Sequence, residues 1–200
     1  MGQIVASEKL LKAVASLNQL VDKHQLQEPE ILQEAQQIIA ELVAKDDWLP
    51  EEMAVPHPQF YRQYLLYGDP LDRFSLVSFV WGPGQKTPVH DHTVWGVIGM
   101  LRGAEQDQSY EWKDGLLRAV GEAKTLQPGD VACVSPTIGD IHQVSNVYDD
   151  RVSISIHLYG GNIGRINRSV FDAATGQRKP FVSGYSNEFV PNLWAAPAGA

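Results

Sequence analysis

From about residue 59 the chain is written in short β-rich segments: YRQYLLY, RFSLVSFVW, VWGVIGML, SYEWK, LLRAV, VACVS, HQVSNV and RVSISIHLY, parted by Gly, Pro, Asp or Asn. Many short strands at this spacing bury a core by closing into a barrel or packing as a sandwich. Ahead of them the period is helical. Residues 7 to 23 set Leu10, Val14, Leu17 and Val21 on one stripe, with Ser7 at the cap and Glu8 in the first turn. Pro29 opens a second helix where its missing N–H costs nothing, and Ile31, Ala35, Ile38 and Leu42 form its inner stripe. DDWLPEE and VPHPQ then break the pattern. The expected architecture is one mainly β domain over 1–200: a helical preface (1–58), a β-barrel (59–175) and a tail (176–200) laid over it. His24 and His57 fall in the breaks and read as surface or loop residues.

Within the strands, GQKTPVHDHTVWGVIGMLRG carries His90 and His92. Side chains at i and i+2 of an extended strand share a face, so the two imidazoles look the same way and Asp91 looks the other. Such a pair reads equally as two corners of a metal site or as hydrogen-bonded histidines at a barrel mouth; neutral imidazole suits iron, copper, zinc or nickel. Further on, QPGDVACVSPTIGDIHQVSN sets two turns around a strand and then His142.

These two stretches together resemble a cupin. The family's first motif, a glycine, five residues, HxH, a short gap, a glutamate and a later glycine, is met by Gly84, His90, His92 and Gly103, with Gly96 where the glutamate usually stands. The second is met by Gly129, Pro136, Gly139, His142 and Asn146. The resemblance implies a cupin (jelly-roll) barrel with His90, His92 and His142 as metal ligands, three neutral donors and no carboxylate.

RVSISIHLY alternates. Ser153, Ser155, His157 and Tyr159 share one face, and Val152, Ile154, Ile156 and Leu158 the other. Read alone, the alternation puts the polar row out in water. Inside a barrel that row would have to hydrogen-bond within itself or border a site, and the cupin resemblance turns it inward. A three-histidine cupin followed by a Ser-x-His-x-Tyr strand is similar to the thiol dioxygenases, the group of cysteine dioxygenase and 3-mercaptopropionate dioxygenase. That resemblance implies one ferrous iron, a small thiol and O2 as substrates, a sulfinate as product, and Ser155, His157 and Tyr159 as an outer hydrogen-bonded relay.

Two departures from the mammalian-type enzymes bear on the substrate. Their carboxylate-binding arginine aligns with Gln63, while Arg62 is one step away and faces oppositely. Gln at this place marks the 3-mercaptopropionate type, which implies an arginine recruited from beyond the Tyr strand: Arg168, with Arg165 in reserve. The mammalian Cys–Tyr cross-link is not expected either, because the lone Cys133 lies in VACVS and reads as buried core. Cysteine dioxygenase of bacterial type, another metal cupin using manganese or zinc, and a non-catalytic cupin module are the rival readings. The missing glutamate counts against the second and the kept relay against the third.

Composition narrows the partners. A formal charge of −8 without a Lys/Arg cluster argues against nucleic acid. The apolar runs fall short of the roughly 20 residues a membrane span requires, and no secretory signal is visible at the N-terminus. A lone cysteine fits a reducing cytoplasm. The sequence sets no oligomeric state.

Overall fold

A computed structural model describes residues 4–23 and 27–194; His24 lies outside them. Helix α1 (Glu8–Lys23) starts where Ser7 Oγ accepts the Leu10 amide at 3.2 Å. Helix α2 (Glu28–Val43) carries its proline in the first turn. No helix among the described residues is long and apolar enough to cross a membrane.

The strands are β1 (Arg62–Gly68), β2 (Ser75–Trp81), β3 (Val89–His90), β4 (Gly96–Arg102), β5 (Glu105–Lys113), β6 (Leu116–Ala119), β7 (Lys124–Leu126), β8 (Val131–Val134), β9 (His142–Asn146), β10 (Ser153–Tyr159), β11 (Arg168–Phe171) and β12 (Arg178–Phe181). One sheet runs β1-β2-β10-β4-β8; the other runs β12-β11-β3-β9-β5-β6, with β7 beside β5. Their inner faces meet: Ser153 on β10 donates to Asn146 Oδ1 on β9 at 2.8 Å, and the rings of Tyr159 and His92 lie 5.2 Å apart. The fold is the mainly β barrel with two helices ahead of it.

The main apolar core lies outside this barrel. Leu10, Leu17, Ile31, Ile39 and Leu42 of the helices pack with Ile154, Ile156 and Leu158 of β10 and with Val97 and Leu101 of β4. The stripe of α2 runs through Ile39 in place of Ile38, which is only half-buried. Close approach to the sheet depends on Gly99, where a Cβ would come within 2.5 Å of Ile39 Cγ2 and 2.9 Å of Val43 Cγ1. A smaller cluster of Val77, Phe79, Trp81, Val144, Tyr159 and Ile163 fills the inside.

Two further readings need correction. Arg178–Phe181 was expected in the tail but forms β12, antiparallel to β11. β12 contains Pro180, which a strand at the end of the sheet order tolerates because its outer N–H needs no partner. Cys133 is half-buried, packed under the helical core on β8, with burial pushing its thiol up to about 11.

Candidate metal centre

His90 ends β3, His92 lies two residues on, beyond the strand, and His142 opens β9. β3 and β9 pair so that His90 stands opposite His142. Thr93 turns the chain just after His92 with a φ of 63°, and Asp140 holds the backbone amides of both residues at 2.8–3.1 Å. The face sharing of His90 and His92 therefore rests on a strand only two residues long and on this carboxylate clamp. Asp91 points the other way and accepts the Ser169 amide at 2.7 Å.

The three rings sit with centroids 4.8–4.9 Å apart, and one ligand atom from each lies within 4.8 Å of the others. Every Nδ1 has an oxygen behind it: Pro88 O for His90 at 3.1 Å, Asp140 Oδ1 for His92 at 3.0 Å and Asp107 Oδ1 for His142 at 3.0 Å. Each acceptor calls for the proton on Nδ1 and leaves the Nε2 lone pair facing the centre. Burial holds His90 and His92 well below the usual imidazole range, so His92 and Asp140 form a hydrogen bond from a neutral ring, not an ion pair. This donor set fits a divalent first-row metal. The sequence led us to expect no carboxylate in the site. None stands among the three, yet Asp107 and Asp140 lie one bond behind two of them, where their charge offsets part of a bound cation's.

The inward face of β10 adjoins this cluster. Ser155 Oγ lies 2.8 Å from His157 Nε2, and His157 Nδ1 lies 2.8 Å from the Tyr159 hydroxyl. Trp81 Nε1–H donates to Ser155 Oγ at 3.0 Å, and Phe79 stacks on the His157 ring at 4.0 Å. Burial holds His157 well below its ordinary pKa and raises the Tyr159 phenol, so both are neutral near pH 7.

Arg168 is the first residue of β11 and is only 3% exposed. One of its Nη atoms donates to Ser183 Oγ at 2.7 Å, its guanidinium lies 4.6 Å from the Phe181 centroid, and Nε has no partner among the described residues. Burial lowers its pKa, and Tyr159, Tyr61 and Asp91 oppose that shift. Gln63 is half-buried on β1 with an unpartnered Oε1, on the face shared by Tyr61 and Leu65, which pack on the inner cluster. Arg62 faces away and donates to the Tyr64 hydroxyl at 2.8 Å. Arg165 is exposed, and His57 stacks on Phe60 in its loop.

Several site residues went unread in the sequence: Asp107, Asp140, Glu105, Trp81, Tyr61 and Ser183. The spacing Asp140-x-His142 and the alternation Val77-x-Phe79-x-Trp81 were signals for two of them. The others depend on partners distant in the chain.

Residues 3–172 match the family described as Cysteine dioxygenase type I. Among curated proteins the chain is 26% identical to Cysteine dioxygenase type 1 of Rattus norvegicus over 120 residues, 58% of each chain. It is 29% identical to that of Danio rerio over 91 residues, 44% of this chain and 45% of the other. The chain thus spans less than two thirds of the curated relatives it matches. Among solved structures, a cupin superfamily protein from Desulfitobacterium hafniense aligns with a TM-score of 0.42 and 13% identity over 54% of this chain and 84% of its own. A cupin 2 domain-containing protein from Halorhodospira halophila aligns at 0.45 and 18% over 66% and 82%. Because the family match runs from ahead of α1 to just past β11, taking in the histidine cluster, the relay strand and Arg168, the chain belongs to the cysteine dioxygenase type I family.

Proposed function

We propose that this protein is an iron(II)-dependent thiol dioxygenase acting on a small thiol carboxylic acid, with 3-mercaptopropionate preferred over cysteine. The reaction is RS⁻ + O2 → RSO2⁻: two S–O bonds form, the O–O bond breaks, and sulfur supplies the electrons. The observation that carries this reading is three buried imidazoles, each anchored through Nδ1, set against the ring of Tyr159 at the outlet of a hydrogen-bonded relay. His90, His92 and His142 would hold the iron. Iron(II) held there would bind and activate the thiolate and O2, and three neutral donors would favour anionic partners on it.

The chain's own residues do the rest. Arg168 is a buried cation whose side-chain hydrogen bond among the described residues goes to a hydroxyl, leaving Nε free. A carboxylate offers such a guanidinium the charge and the planar geometry it lacks. Gln63 gives a second, uncharged contact by donating from its side-chain amide N–H to the carboxylate. Tyr159, fixed by His157, offers a hydroxyl hydrogen at the centre, and Phe79, Trp81 and Tyr61 exclude water on that side. A reducing cytoplasm, suggested by the lone cysteine, would keep the substrate thiol available.

The test is metal analysis with oxygen uptake on 3-mercaptopropionate, cysteine and cysteamine. Uptake should match sulfinate formed, follow iron content, and be most efficient with 3-mercaptopropionate. Iron-loaded protein that takes up no oxygen with any thiol would overturn the activity. Higher efficiency with cysteine would overturn the preference alone.

A further inference from the structure

Glu105 enters the barrel from β5 and has no part in the chemistry above. It is 1% exposed, its Oε2 has no hydrogen-bond partner among the described residues, and its carboxyl lies beside the Ser155 hydroxyl. Ser155 is already a crowded junction, with Trp81 Nε1–H donating to its oxygen and His157 Nε2 at 2.8 Å. A hydroxyl has one proton and two lone pairs. Ser155 can therefore give its proton to Glu105 or to His157, but not to both. Neutral His157 faces the same choice, with one ring proton and a neighbour at 2.8 Å on each nitrogen.

We propose that Glu105 is the inner terminus of the relay and a positioning residue whose protonation state sets the direction of every hydrogen bond from Ser155 to Tyr159. When Glu105 carries its proton, it donates to Ser155, Ser155 donates to His157 Nε2, and Nδ1–H donates to the Tyr159 oxygen. The phenol hydrogen is then free to point at the metal centre. When Glu105 is ionised, Ser155 donates to the carboxylate and accepts from Nε2–H. The bare Nδ1 then takes the phenol hydrogen away from the centre. In both states Ser155 uses two lone pairs, one always for Trp81, and the states differ by the single proton on Glu105.

The surroundings place this change in a working range. Burial pushes the Glu105 carboxyl up to about 7. Asp107 on its own strand adds to the rise, while Ser155 on β10 and His142 on β9 oppose it. Tyr159, also on β10, feels its charge, and β7 sets the buried, apolar Leu126 opposite it. Since His157 stays neutral, its tautomer reports the direction of the chain.

The inference rests on the proposed activity only in taking Tyr159 as the outlet. The experiment reads the ring nitrogens of His157 by 15N NMR across pH 5.5–8.5 (about the Glu105 transition) in the full chain loaded with Zn(II), without substrate. The wild type should carry the proton on Nδ1 at the low end and on Nε2 at the high end. In Glu105→Gln, whose amide has no proton to lose, one tautomer should persist throughout. In the iron form kcat should fall about tenfold per pH unit above the transition in the wild type and stay flat in the variant. One unchanging tautomer in the wild type, or a switch surviving in Glu105→Gln, would overturn the proposal. Because the NMR measurement involves no turnover, failure of the dioxygenase assignment shows in a different experiment.

Discussion

Gly96 and Tyr159 face each other across β4 and β10, so closely that a Cβ at residue 96 would lie 2.9 Å from Tyr159 Cδ1. The glutamate that cupins usually carry at this place would need the volume the tyrosine ring fills. The absent carboxylate and the relay tyrosine are thus one choice, not two. Gly96→Ala should displace the ring or strain β4 against Val134, 3.1 Å from the same Cβ, at a cost of about 1–3 kcal/mol in denaturant unfolding. Turnover should fall further than metal content. Equal losses would mean that the ring is not what the glycine protects.

Tyr159→Phe keeps the ring on His92 and removes only the hydroxyl. Metal content should stay near wild type while turnover drops by about 10²–10⁴-fold, the usual contribution of a positioned acid–base group. His157 Nδ1 would lose its partner, so a stability loss of about 1–3 kcal/mol should accompany the change. Undiminished oxygen uptake would remove the hydroxyl from the reaction.

The oxygens behind the ligands differ in kind, which gives a graded prediction for metal affinity. Asp140→Asn and Asp107→Asn should each weaken metal binding by about 10–100-fold in chelator competition. The corresponding oxygen for His90 is the carbonyl of Pro88, beyond the reach of side-chain substitution. Wild-type affinity in both variants would show that the carboxylates only tie loops.

Arg168→Ala should raise KM for 3-mercaptopropionate by about ten- to a hundredfold, matching the 1.5–3 kcal/mol of a charge-assisted hydrogen bond, and affect cysteamine far less. Ser183→Ala, which removes the oxygen holding the guanidinium, should act in the same direction but more weakly. Arg165→Ala should leave both thiols unchanged. Equal damage to both thiols in Arg168→Ala would sink its role as carboxylate receptor.

Glu105 also makes stability depend on pH. Its folded pKa of about 7 lies above the ordinary 4.5, so the native state keeps a proton that the unfolded chain releases first. Stability from this group is therefore full below about pH 4.5, falls as pH rises toward 7, and stays lost above it. At pH 8 Glu105→Gln should exceed the wild type by about 3 kcal/mol, narrowing toward pH 5, as followed by denaturant midpoints. A gap that does not change with pH would show that the carboxyl titrates normally.

The sequence exposed what is periodic. Ser155, His157 and Tyr159 could be placed on one face because β10 alternates between two chemically opposite rows, and His90 with His92 from their i, i+2 spacing, although His92 lies beyond β3 and the Asp140 clamp completes their alignment. Arg168 and Arg165 could not be told apart, since only the pairing of β11 with β3 and β12 buries one and leaves the other in water. Glu105 and Asp107 stand in EQDQSYEWK, where no apolar alternation marks an inner face. Their burial comes from register with Asn146 and Val144 on β9, which no local pattern encodes.

β10 has consequences for how such a protein can change over generations. Ile154, Ile156 and Leu158 serve the helices, while Ser155, His157 and Tyr159 serve the cavity. Selection acting on the thiol or on proton flow can therefore rewrite alternate letters of the strand while the fold is underwritten by the letters between them. Random replacements along β10 should split accordingly: those at 155, 157 and 159 lose chemistry before fold, those at 154, 156 and 158 lose the fold, and Ser153, which ties β10 to Ala104 and Asn146, falls with the second group.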